Sequence, residues 1–392
     1  MTREQEFFIQ VLSDHLAGRK TDHSDGLDWA EIMKLSRSHQ VDGIVFYQCR
    51  DLIPQEIRSS FEQAFGATLY YYTNRKLAME EIAAALRAAK LPFFTVKGFA
   101  VAQYYPLPAL RTMGDCDIIV HQADMQAAVA VLQGLGFRGS EQTTVQQWGC
   151  DRNGLHFELH DSLVQNGEFT TGDQVKFFNT FDPYITGEGL DWSFHFLFLL
   201  MHLRKHFLNY GVGFRQFMDL AAIIKNGPEL RWDWMREKLE QLHLLRFACV
   251  CCSMLKSWFG ISAPLEAQPL EPELEKKLTE MILHGGVFGF ADENNFSNYS
   301  RTALAKARVP RWLKPFVSLL HSAFPEYDMM RGYPGCSYLN GRPYLLPAAW
   351  LHRFLIILAR KDKSSTVHTV RSSFVPSVEV SDREELLNKM GL

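Results

Sequence analysis

No apolar run in this 392-residue sequence is long enough to cross a bilayer. Its most hydrophobic stretch, Phe194 to Met201, falls short of the roughly 20 residues that a spanning helix needs and lies close to charges. No membrane partner is expected. The opening residues Met1-Thr-Arg-Glu-Gln-Glu are polar and carry no signal-peptide core. An excess of one charge is also missing: 41 Lys and Arg against 44 Asp and Glu give a net charge of -3. That balance argues against a broad DNA-binding surface, although local basic patches remain open. Cysteines number seven, an odd count without regular spacing, which argues against a disulfide framework. Cys249, Cys251 and Cys252 sit in an apolar helical run and read as buried thiols. Internal repeats and low-complexity tracts are absent. So is a P-loop pattern: His284-Gly-Gly-Val-Phe-Gly289, followed by Asp292-Glu-Asn-Asn295, reads as a turn-rich loop rather than a phosphate cradle. A reducing cytoplasm fits all of these absences.

What is present is an ordinary globular composition, 47% hydrophobic and 22% charged, with ample material for a core. Apolar positions recur at helical spacing in residues 4–17, from Asp28 as an N-cap to about His39, and from Pro54 almost to Lys90. His39 reads as a capping or packed histidine rather than a ligand. Residues 91–165 are strand-rich. A helix-like stretch lies at Phe99–Tyr104, a second helix at Asp124–Gly134, and a turn at Asp151-Arg-Asn-Gly154 separates antiparallel strands. Helical patterns return from Trp192. The division expected is an N-terminal helical unit (1–90), a catalytic core (91–190), a mostly helical C-terminal unit (191–360) and a polar tail (361–392). The fold class is α+β, with a small mixed or antiparallel sheet flanked by helices.

The chemistry concentrates in Arg111-Thr-Met-Gly-Asp115-Cys-Asp117-Ile-Ile-Val120. Its β-branched tail reads as a short buried strand, and residues two apart on a strand share a face, so Asp115 and Asp117 present adjacent carboxylates. Two such groups repel unless a cation sits between them, which is the outline of a Mg²⁺ (or Mn²⁺) site. Two solvated aspartates entering a strand would look the same. The flanks add Leu91-Pro-Phe-Phe-Thr-Val-Lys97-Gly98, where Gly98 permits close backbone approach to a ligand. They also add Gly154-Leu-His-Phe-Glu158-Leu-His160, an alternating strand whose Glu158 supplies a third acid.

In that order, strand-Lys97-Gly98, then Arg111-x-x-Gly-Asp115-x-Asp117, then Phe157-Glu158-Leu159, the chain resembles the DNA polymerase β-like nucleotidyltransferase superfamily. It is most similar to the bacterial uncharacterised nucleotidyltransferases, in which Lys-Gly replaces the Gly-Ser of better-known relatives. Tyr105-Pro106, His202-x-x-x-His206, Arg215-x-x-x-Asp219 and Arg342-Pro-Tyr-Leu-Leu-Pro347 extend the resemblance to roughly residues 25–360. It implies transfer of a nucleoside monophosphate from an NTP to an acceptor hydroxyl, with release of pyrophosphate. Asp115, Asp117 and Glu158 would then be the catalytic, metal-holding acids, with Glu158 as second-metal ligand or base. Lys97, Gly98, Arg111, His160, His202, His206 and Arg215 would line the nucleotide site. Phosphate binding through a serine hydroxyl does not carry over, because the Gly-Ser pair is absent.

Blander roles stay open for several of these residues. Arg111 can grip a phosphate, pair with Asp115 or anchor a loop. His202 and His206 share a helix face at Zn²⁺ spacing, but Leu203 stands where metalloproteases have Glu; a nucleotide-facing patch or bonds to Asp219 fit better. Arg215 and Asp219 read equally as an intrahelical ion pair. His160 can tune Glu158 or merely bond to it. The basic stretch Arg301, Lys306, Arg308, Arg311 and Lys314, with Trp312, is a solvated helix face or a docking patch for tRNA. Three functions follow: an active transferase acting on a small molecule, RNA end or protein; a non-catalytic nucleotide-binding or scaffold protein; and a toxin-like transferase that modifies tRNA or protein.

Overall fold

The computed structural model describes residues 1–287 apart from 23–25, 140–146, 166–169, 188, 210 and 266–269, then 324, 327, 330, 336–339, 342–359 and 385–392. The basic stretch 301–314, Phe288 to Asn295 and nearly all of the tail from 361 to 384 lie outside the described residues. His284 and Gly285 end a helix, and Gly286 and Val287 form a turn.

Four helices come first. α1 (Arg3–Ala17) starts with a capping box between Thr2 and Gln5 and ends at Gly18 in the left-handed conformation. α2 (Trp29–Ser38) starts at Asp28, whose carboxylate accepts from the Ala30 and Glu31 N–H groups. α3 (Asp42–Cys49) buries Ile44, Val45, Phe46 and Cys49. α4 (Gln55–Ala88) is the long helix that the unbroken pattern after Pro54 implied.

The strands β1 (Phe93–Val96), β2 (Asp117–Val120), β3 (Arg138–Gly139), β4 (Gln147–Arg152) and β5 (Leu155–His160) form one sheet in the order β1-β2-β5-β4-β3. Every pairing is antiparallel except β2 with β5, which is parallel and sets Asp117 opposite Glu158. Asn153 and Gly154 close the β4–β5 hairpin with φ of 54° and 77°, the left-handed pair that matches strand twist. α5 (Gly98–Ala102) follows β1, and α6 (Met125–Gly134) follows β2. α7 (Gly172–Asn179) and a short ribbon of β6 (Ile185–Thr186) and β7 (Gly189–Leu190) lead into the later helices.

Those helices are α8 (Trp192–Asn209), α9 (Phe214–Asn226), α10 (Trp232–Gln241), α11 (Leu245–Phe259), α12 (Pro272–Gly285) and α13 (Leu346–Ala359). None among the described residues is long and apolar enough to cross a membrane.

Strand alternation assigns the two faces of the sheet to different cores. Ile118, Val120, Phe157 and Leu159 join Ala78, Ile82 and Leu86 of α4 and Ala128 and Leu132 of α6. Phe94, Val96 and Ile119 join the larger core, which α1–α3 share with α8–α11. Asp117, Glu158 and His160 alternate with the first set, so they project from the second face, toward the later helices.

Candidate active site

Lys97 leaves β1 with φ 56° and ψ −129°, a left-handed conformation that L side chains rarely adopt. Its N–H donates to His195 Nε2 at 3.1 Å, which ties the end of β1 to α8 and leaves the His195 proton on Nδ1. Strain of this kind persists only where the surroundings over-determine it, and it clusters at functional sites. The residue after it must be small: a Cβ on Gly98 would overlap the Arg111 guanidinium.

The Lys97 ammonium donates to Asp117 Oδ1 at 2.7 Å, with Asp117 only 3% exposed. His160 Nε2 stands 3.0 Å from the same oxygen and 3.1 Å from Glu158 Oε2, so its N–H is shared by two carboxylates. On the other side of Glu158, His156 Nε2 approaches Oε1 at 3.2 Å while its Nδ1 lies 2.8 Å from Asp151 Oδ1. Both His156 nitrogens thus face carboxylates, an arrangement that favours imidazolium.

These contacts fix the charge states. Burial alone would raise the Asp117 carboxyl, but Lys97 and His160 outweigh it and hold the group well below the usual range. Glu158 is also lowered: burial opposes ionisation, and the His160 hydrogen bond overcomes it. His160 moves the opposite way, since its bonds to Asp117 and Glu158 outweigh its burial. Asp115 is raised, first by burial and then by the negative charge of Asp117.

Asp117, Glu158 and His160 bring their ligand atoms within 4.8 Å of one another, a spacing that suits a metal ion. Asp115 precedes β2 and stays outside that group, although its charge is coupled to Asp117, Lys97 and Glu158. The strand face that both aspartates were expected to share begins only at Asp117, and β5 supplies the neighbours instead.

Residues 25–260 match the family described as an uncharacterised nucleotidyltransferase. The chain belongs to that nucleotidyltransferase family. No curated protein and no solved structure matches the chain. The matched span includes β1, β2 and β5, and with them every residue of the cluster around Asp117.

Arg111, Arg215, His202 and His206, also expected at the site, make their hydrogen bonds outside this cluster. Arg111 is buried and donates to both oxygens of Asp219, at 3.0 Å through Nε and 2.5 Å through Nη2. Tyr105 donates to the same carboxylate at 2.7 Å. Arg111 is therefore a loop anchor whose partner is Asp219, not Asp115. Arg215 does not form the expected ion pair with Asp219 either; its Nη1 donates to Gln40 Oε1 at 2.5 Å and to the Thr112 carbonyl at 3.2 Å. Burial and the nearby Arg111 charge lower the Arg215 pKa to about 10. His202 and His206 bond to each other, Nε2 to Nε2 at 3.0 Å, rather than to Asp219. Burial and the Lys97 charge keep both neutral, His206 at about 3.

Sequence reasoning missed His156 and His195. His156 had a readable signal, since period-2 alternation puts it on the face of Glu158 and His160. His195 lay hidden in an apolar helix.

Proposed function

We propose that the chain moves a nucleoside monophosphate from an NTP to an acceptor hydroxyl and releases pyrophosphate. The observation that carries this reading is the register of β2 against β5, which sets Asp117 beside Glu158, with His160 bridging the two and Lys97 paired with Asp117. The donor set fits a hard divalent cation, Mg²⁺ or Mn²⁺: two carboxylates on rigid strands, and an imidazole that becomes a ligand only on losing its shared proton. Bound there, such an ion would neutralise charge on the triphosphate and polarise the α-phosphate.

The chain's own groups do the rest. The acceptor oxygen bonds to the α-phosphorus, the bond from that phosphorus to the bridging oxygen breaks, and pyrophosphate leaves with the electron pair. The acceptor proton passes to Glu158, where His156 holds the carboxylate in place. Lys97, released from Asp117 as the acids take up other positive charge, balances the phosphates. Asp115, raised in pKa, is the reserve ligand for a second ion. Residues 91–190 act as the catalytic core, with 1–90 and 191–360 as helical units around it.

One observation favours binding without turnover: the protein's own cations already satisfy Asp117 and Glu158. The deciding experiment supplies each α-labelled NTP with Mg²⁺ or Mn²⁺ and a cell extract, to the wild type and to Asp117→Asn. Label entering one fraction with the wild type alone supports transfer and identifies the acceptor class. Metal-dependent NTP binding without transfer or pyrophosphate release selects the binding protein. Absence of both NTP and metal binding makes the acidic cluster structural.

A further inference from the structure

Basic groups line α8 beside the acids, and the reaction as drawn gives them no role. At about 100° per residue, His195, His202 and His206 fall within about 40° of one another around the helix, with Lys205 flanking that line. The line starts at the end of β1, where His195 accepts the Lys97 main-chain N–H at 3.1 Å. His202 and His206 follow about 10 Å and about 16 Å along the helix from His195, at about 1.5 Å per residue, within reach of the charge of the Lys97 ammonium that sits on Asp117. Ring contacts keep it continuous, with centroids 6.2 Å apart for His195 and Phe198, 6.3 Å for Phe198 and His202, and 4.6 Å for His202 and His206.

Its far end gathers basic groups whose charge is not balanced there. Lys205 is exposed and makes no hydrogen bond or ion pair among the described residues, yet its charge interacts with Lys97, Asp117 and Glu158. The His206 ring turns its Nε2 toward His202, and its Nδ1 is buried beside the Gly211 backbone. Lys97 and Lys205 both disfavour positive charge on His202 and His206, and Lys97 does so on Lys205, a crowding that an arriving polyanion relieves. A triphosphate whose α-phosphate lies at Asp117 and Glu158 must carry its other charges away from three carboxylates. The α8 line is the basic route out.

We propose that Lys205, with His202 and His206, forms the subsite that holds the pyrophosphate end of the triphosphate. This rests on the transferase reading. Calorimetry with Mg²⁺ and either inorganic pyrophosphate, an α,β-methylene NTP analogue or the matching NMP separates the two. In the wild type, pyrophosphate and analogue bind, and pyrophosphate shifts the imidazole NMR signals of His202 and His206. Lys205→Met is expected to weaken pyrophosphate and analogue about tenfold or more, the loss of one charge-assisted contact, while NMP affinity stays put and Lys205→Arg recovers most of the loss. Lys205 is exposed, so a thermal melt of each variant is expected to match the wild type.

If Lys205→Met binds pyrophosphate as tightly as the wild type, or the imidazole signals do not move, the subsite is overturned and the transferase reading stands. If the wild type binds neither analogue nor pyrophosphate, both fall.

Discussion

Asp219 is the acid paired with Arg111 in the protein interior, with both partners about 7% exposed or less. Removing one member of such a pair strands the other charge. Asp219→Asn is therefore expected to cost about 3–5 kcal/mol of stability, read as a lower urea midpoint. A loss below 1 kcal/mol would show that the guanidinium finds water or another partner. Asp117 tests a different property. Saturating Mn²⁺ at about a hundredfold over its Kd stabilises a protein by about 2.7 kcal/mol, so the wild-type melting temperature should climb by several degrees. Asp117→Asn and Glu158→Gln should show little or no climb. At this scale the sequence displayed the acids and the lysine plainly, because they sit in short, patterned runs. It could not display their partners: Arg111 finds Asp219, and Lys97 finds His195, across separations that no local period encodes.

Elements were legible where local rules act without interference. The Asp151-Arg-Asn-Gly154 turn is such a case, and Gly154 at φ 77° carries it. A Cβ there meets no neighbour, so Gly154→Ala should cost only the backbone strain, about 1–2 kcal/mol, measured by denaturant unfolding. A larger cost would mean that the hairpin register itself slips. α3 shows the opposite situation. Val41, Ile44, Val45 and Phe46 are β-branched or aromatic and read poorly as helix, yet they lie buried in the core shared with α1 and α4, and that packing overrides the propensity. α7 and the β6–β7 ribbon were also unassigned, since each is short. The alternation of β5 was read correctly for Glu158 but not followed through to His156, one step earlier on the same face.

For the whole molecule, the joint between early and late helices is a histidine. His39 is fully buried; its Nδ1 accepts the Phe214 N–H at 3.3 Å and its Nε2 faces the Leu283 carbonyl at 3.4 Å. Burial pushes its pKa down to about 4. A histidine whose folded pKa lies below its unfolded value of 6.5 binds protons more readily when unfolded. Its contribution is thus complete above pH 6.5 and is lost as the pH falls toward 4. Stability should drop by up to about 3 kcal/mol across that window, and His39→Gln should flatten the slope in urea titrations at pH 7 and pH 5. An unchanged slope would mean that other buried histidines, such as His15, carry the acid sensitivity.

The parallel pairing of β2 with β5 has a consequence in time. β1 with β2, and β4 with β5, are antiparallel partners that close over short or moderate stretches of chain. The parallel pair joins those two halves across α6 and the whole hairpin, the slower kind of closure. Asp117 and Glu158 ride on opposite sides of that seam. On the proposed function, backbone structure should return first during refolding and the capacity to capture Mn²⁺ later, so a nascent chain would stay chemically silent until its sheet has zipped shut.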